Sequence, residues 1–96
     1  MKRKKKKLVS IRLSDGAGGT MWQTAKGVYH REDGPAIIRS NGNKYWMYNG
    51  KYHREDGPAI EFPAQNYYKF YLHGKEMSFI TNTAQLLSYL KNKAFW

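Results

Sequence analysis

The sequence predicts a mainly β (β+α) domain: an antiparallel meander of repeated β-hairpins, one C-terminal capping helix and a disordered basic N-terminal arm. Three observations predict it. An octapeptide occurs twice without change, as His30-Arg31-Glu32-Asp33-Gly34-Pro35-Ala36-Ile37 and as His53-Arg54-Glu55-Asp56-Gly57-Pro58-Ala59-Ile60, 23 residues apart. Self-similarity at such a period marks stacked supersecondary units. Short runs rich in Tyr, Trp and Ile are separated by two-residue turn signals such as Asn49-Gly50. Near the C-terminal end, Leu86, Leu87, Leu90 and Ala94 keep the three-to-four spacing of a helix face.

Ninety-six residues make one small domain with room for a single core. Aromatics are 16% of the chain and eight of them are Tyr, so the core is expected to lean on rings with hydroxyls that need partners. Cys is absent, which excludes a disulfide framework and a thiolate metal site. No run reaches the length of a membrane span, and none follows the basic start as a signal peptide requires. A soluble protein inside the cell is therefore expected.

The elements follow in order. Lys2, Arg3, Lys4, Lys5, Lys6 and Lys7 carry six of the seventeen cations, leaving +4 of the net +10 for the rest. Residues 1–7 are read as a disordered arm, either solubilising or held to a polyanion such as nucleic acid by salt-sensitive Lys–phosphate contacts. Residues 8–96 form the repeat domain. Its repeats span about 20–42 and 43–66, with a partial one at 67–77 and a helix over about 82–93.

Leu8 to Leu13 alternates as a half-buried strand, and Ser14 to Gly19 is a glycine-rich turn. That loop lacks the Lys-Ser/Thr ending of a phosphate-binding loop, so a plain connection is the simpler reading. Strands are expected at Thr20–Thr24, Ile37–Arg39, Lys44–Tyr48, Ala59–Phe62 and Tyr67–Leu72. Ser40 to Asn43 closes one hairpin, and Pro63 to Asn66 interrupts between two strands. His73-Gly74 stands where Asn49-Gly50 stood, opening a third repeat that degenerates at Lys75-Glu76-Met77. Thr81 or Asn82 is the expected helix N-cap. Period two puts Trp46, Tyr48, Phe70 and Leu72 on one face as core beneath the helix, and Tyr45, Met47, Lys69 and Tyr71 on the other.

Within the octapeptide, Asp33-Gly34-Pro35 and Asp56-Gly57-Pro58 read as structural turns. The Arg fork suits backbone carbonyls or a carboxylate, and the His suits a bond across the hairpin. Identity between two copies argues for a repeated structural job. A metal shared by His30, His53 and the aspartates, and acid–base catalysis by the same groups, are weaker readings of these residues. No nucleophile stands beside them, and neither an enzyme nor a cofactor is expected. Arg31 and Arg54, with His30 and His53, are the candidate clamp for an anion. Tyr45, Lys69 and Tyr71 are the candidate base-stacking face.

These residues resemble small proteins of tailed bacteriophages built from repeats of the form Trp…Asn-Gly-Lys-x-His-Arg-Glu-Asp-Gly-Pro-Ala, divergent relatives of the MORN (membrane occupation and recognition nexus) repeat. The match runs from about Trp22 to Lys75 and is strongest from Trp46 to Ile60. The first repeat departs from the pattern: Ala25-Lys26-Gly27 replaces Asn-Gly, which implies a bulge or an altered register there. The resemblance implies a curved sheet of hairpins, a phage origin, the host bacterial cytoplasm and a role in binding. The leading expectation is a phage accessory protein that engages a host protein, as in blunting a host defence. A nucleic-acid binder using the Lys arm and the Tyr/Lys face is the second. A protein that sequesters a nucleotide signal at Arg31 and Arg54 is the third. No membrane partner is expected, and an edge strand offers a route to a homo-oligomer.

Overall fold

The computed structural model describes residues 8–93; the expected basic arm and Ala94 lie outside them. The chain is mainly β, with antiparallel pairing throughout and one C-terminal helix. The strands are β1 (Ser10–Ser14), β2 (Thr20–Thr24), β3 (Ile37–Ile38), β4 (Lys44–Tyr45), β5 (Met47–Tyr48), β6 (Lys51–Tyr52), β7 (Ile60–Phe62), β8 (Tyr67–Lys69), β9 (Tyr71–Leu72) and β10 (Lys75–Glu76). A six-stranded sheet has the order β1-β2-β3-β4-β7-β8, and β5–β6 and β9–β10 are separate hairpins. The whole is a slab of 44 × 44 × 17 Å, with room for little more than one sheet and its side chains. Among the described residues no helix is long and apolar enough to cross a membrane.

Two runs expected to be single strands are each split. Lys44–Tyr48 breaks at Trp46, and Tyr67–Leu72 breaks at Phe70. The cause is a change of partner. The first half of each run pairs with β7, and the second half turns back into its own hairpin. Both hairpins turn on positive-φ pairs, Asn49-Gly50 (50° and 79°) and His73-Gly74 (51° and 83°), the signature of a two-residue type I′ turn. The first repeat turns differently. Gly27 (φ 81°) donates to the Thr24 carbonyl while Thr24 donates to that of Val28, which inserts the extra glycine of a bulged hairpin.

The glycine-rich loop is filled by the chain's own carboxylate. Asp15 Oδ1 accepts from the backbone N–H groups of Ala17 and Gly19, both at 2.8 Å, and Arg39 lies 3.6 Å from Oδ2. Those amides are spent, so the loop is a connection rather than a phosphate cradle.

The helix α1 (Thr83–Lys93) is capped by Asn82, whose Oδ1 accepts from the Gln85 N–H at 2.8 Å. Gln85 reaches back to accept from the Thr81 N–H, also at 2.8 Å. Helix residue Leu86 is fully buried with Phe70, Met77 and Ile80, flanked by Leu72, Tyr89 and Leu90. Leu87, expected in this stripe, is 51% exposed, and Tyr89 takes its place. Trp46 and Tyr48, expected beneath the helix, are not part of this cluster. Eleven residues extend only about 16 Å, enough for the third repeat alone.

The Asp15 carboxyl is held below its ordinary value of 3.8, first by the Ala17 and Gly19 amides and also by Arg39. A depressed folded-state pKa adds stability that is present above the ordinary value and is lost as pH falls through the lowered one. Asp15→Asn should therefore melt lower than wild type at neutral pH. The gap should narrow as thermal melts are taken below about pH 4.

Candidate functional site

Each octapeptide is a corner with one internal design. In the first, the Arg31 guanidinium carbon lies 3.8 Å from the centre of the Trp22 ring; in the second, that of Arg54 lies 3.7 Å from Trp46. Each Arg Nε donates to its own Asp, Arg31 to Asp33 at 3.0 Å and Arg54 to Asp56 at 2.8 Å. Each Nη1 donates to the proline carbonyl, Pro35 at 3.2 Å and Pro58 at 3.1 Å. The other face of the guanidinium rests on glycine. A Cβ on Gly34 or Gly57 would stand 2.7 Å from the guanidinium carbon, so a larger residue would push the guanidinium from its place. In the second corner Glu61 joins, 3.4 Å from Arg54 Nη1 and accepting from Trp46 Nε1 at 2.8 Å.

The histidines join one repeat to the next. His30 Nδ1 accepts from the Asn49 N–H, and His53 Nδ1 from the His73 N–H, both at 2.9 Å. Two backbone bonds flank each of these. Arg31 N–H donates to Met47 and Gly50 N–H to Tyr29; one repeat on, Arg54 donates to Tyr71 and Gly74 to Tyr52. An accepting Nδ1 fixes the proton on Nε2. His53 Nε2 lies 3.1 Å from Glu55, whereas His30 Nε2 lies 3.9 Å from Glu32 and is buried without a hydrogen bond.

Of the residues expected to clamp an anion, Arg31, Arg54 and His53 line one groove, while His30 is buried. Each guanidinium has Nε and Nη1 committed within its own corner, and each His spends Nδ1 on a turn amide. Among the described residues no three His, Asp or Glu side chains gather to hold a metal ion.

The residues expected to stack bases are half-buried among other rings. Tyr45 meets Tyr52 at 6.3 Å and Phe62 at 5.6 Å, Tyr71 meets Tyr52 at 5.1 Å, and Phe62 stacks on Tyr67 at 5.3 Å. Lys69 Nζ sits 3.6 Å from Glu76. Burial, and then the nearby Glu76 carboxylate, raise the Tyr71 hydroxyl above its ordinary value of 10.0, so it stays protonated.

What the corners leave open is a groove of about 510 Å³ between them. Trp46, Tyr48 and His53 line it, with Arg31, Glu32 and Asp33 from one corner and Arg54, Glu55 and Asp56 from the next. Four of the seven acidic residues of a +10 chain thus share one groove. Asp33 and Asp56 offset the two arginines, so Glu32 and Glu55 are the surplus. Tyr48 is 41% exposed, its ring 4.5 Å from that of His30 and 6.2 Å from that of His53. Ser, Thr and Lys are absent from the groove's described lining. An aromatic ring between carboxylates suits a cationic side chain.

Sequence reasoning placed Tyr48 in the core and gave Glu32 and Glu55, with the aspartates, as carboxylates for the Arg fork rather than as groove residues. A signal for the glutamates was present. Each stands unchanged in both copies, at the octapeptide position that the Arg–Asp–Gly–Pro corner does not use.

Compared with models of known protein families, with curated proteins and with solved structures, the chain matches none.

Gly57→Ala should lower stability by about 1–3 kcal/mol through overpacking against Arg54. In an Arg54→Ala background the same change should cost much less, a coupling that chemical denaturation of the four-variant cycle reads directly. His30→Leu removes the acceptor of the Asn49 amide and should cost about 1–3 kcal/mol. Hydrogen exchange should speed up at Asn49 while the β9–β10 hairpin keeps its protection.

Proposed function

We propose that this chain is a non-enzymatic bacteriophage accessory protein that binds a host protein in the bacterial cytoplasm, taking a Lys- or Arg-bearing segment of that partner into the groove between the two corners. The observation that carries the reading is the groove itself. Glu32, Glu55 and the exposed Tyr48 share its lining with Arg31 and Arg54, whose charges are met by Asp33 and Asp56. A partner's cation would meet carboxylates for charge-assisted hydrogen bonds and a ring face for cation–π contact. The long-range field of a basic chain opposes a basic partner, so recognition rests on close contact in the groove rather than on steering.

The phage setting and a role against a host defence are supported by the resemblance of the His-Arg-Glu-Asp-Gly-Pro-Ala repeats.

The test is capture from a nuclease-treated bacterial lysate, with wild type compared with Glu32→Gln/Tyr48→Ala/Glu55→Gln and captured proteins identified by mass spectrometry. One host protein should be retained by wild type and reduced about tenfold or more by the triple variant, equivalent to roughly 1.4 kcal/mol. Undiminished capture by the variant would overturn the groove. Capture lost on nuclease treatment, or on removing residues 2–7, would assign binding to nucleic acid instead.

A further inference from the structure

We infer that β1 is a dimerisation edge: two copies of this chain pair their β1 strands antiparallel, with Ile11 on the twofold axis, joining the two six-stranded sheets into one. β1 ends the sheet order, and among the described residues no strand lies on its outer side. It is five residues long and has neither Pro nor Gly, and Val9 and Ile11 on its apolar face are 74% and 58% exposed. Such an edge is a template for a further strand. The other edge is guarded: β8 has three residues, follows the Pro63–Gln65 turn, and holds Lys69 against Glu76.

Backbone parity sets the register. Trp22 donates its N–H to Ala36, and its carbonyl accepts from His30, so both groups point away from β1. Alternate residues of an antiparallel strand point opposite ways. Met21 and Gln23 therefore bond Leu13 and Ile11. The N–H and C=O groups of Ser10, Arg12 and Ser14 are left facing outward.

With Ile11 on the axis, Ser10 of one copy exchanges hydrogen bonds with Arg12 of the second. The two Ile11 side chains meet in a close non-hydrogen-bonded pair, and Val9 lies against Leu13 of the second copy. Moving the axis to Arg12 sets two like charges directly opposite, which is destabilising. Moving it to Ser10 sets the charged Arg12 opposite the apolar Leu8 of the second copy.

Cys is absent from the chain, so single thiols read the register directly. Light scattering of the full chain at about 100 µM should give twice the monomer mass, and Ile11→Lys should halve it while leaving the circular dichroism unchanged. Under mild oxidation Ile11→Cys should form a disulfide-linked dimer, because its Cα atoms sit about 4.5 Å apart. Arg12→Cys should stay largely unlinked. A monomeric wild type, larger open-ended assemblies, or linking of Arg12→Cys as readily as Ile11→Cys would overturn the proposal. None of these outcomes bears on the groove, whose test reads a different face and a different partner.

Discussion

The structure depends on one contact made twice: an arginine guanidinium pressed between a tryptophan ring and the bare Cα of a glycine. A guanidinium is planar, always charged and weakly hydrated, so it alone stacks on an aromatic face while its edge donates to a carboxylate and a carbonyl. The Trp–Arg pair is worth about 0.5–2 kcal/mol, more as it is shielded from water. Its larger effect is geometric. Asp and Pro catch the fork in the plane the ring defines, and that places the octapeptide over the strand carrying the tryptophan. The octapeptide's histidine and the backbone bonds beside it then fasten the next hairpin. A slab with so few buried aliphatic side chains holds its shape through such polar corners.

The third repeat shows what happens when the corner is missing. Phe70 stands in place of Trp46 and Met77 in place of His53, and Met77 N–H still donates to the Phe70 carbonyl as His53 does to Trp46. With no Arg to cover it, Phe70 is covered by Ile80 and Leu86 instead. Polar stitching thus gives way to apolar packing where the helix lies against Phe70 and Met77.

The pairing of each arginine with its own aspartate also decides the surface. A chain with net charge +10 presents, between its corners, a groove with four carboxylates against two guanidiniums. Without those carboxylates the two guanidiniums would suit phosphate. The acidic surplus shifts the proposed ligand from an anion to a cationic side chain.

The sequence by itself determined the mainly β class, the turn at Asn49-Gly50, the corner role of Asp-Gly-Pro and the single C-terminal helix. All of these rest on contacts a few residues apart, which local patterns encode. The partner of each Arg and each His was decided only by the tertiary structure. Trp22 is nine residues from Arg31 and Asn49 is nineteen from His30, so neither contact shows in a local period. The same holds for Tyr48. It is left 41% exposed because an eleven-residue helix reaches only so far, and length and placement in space are not written in alternation.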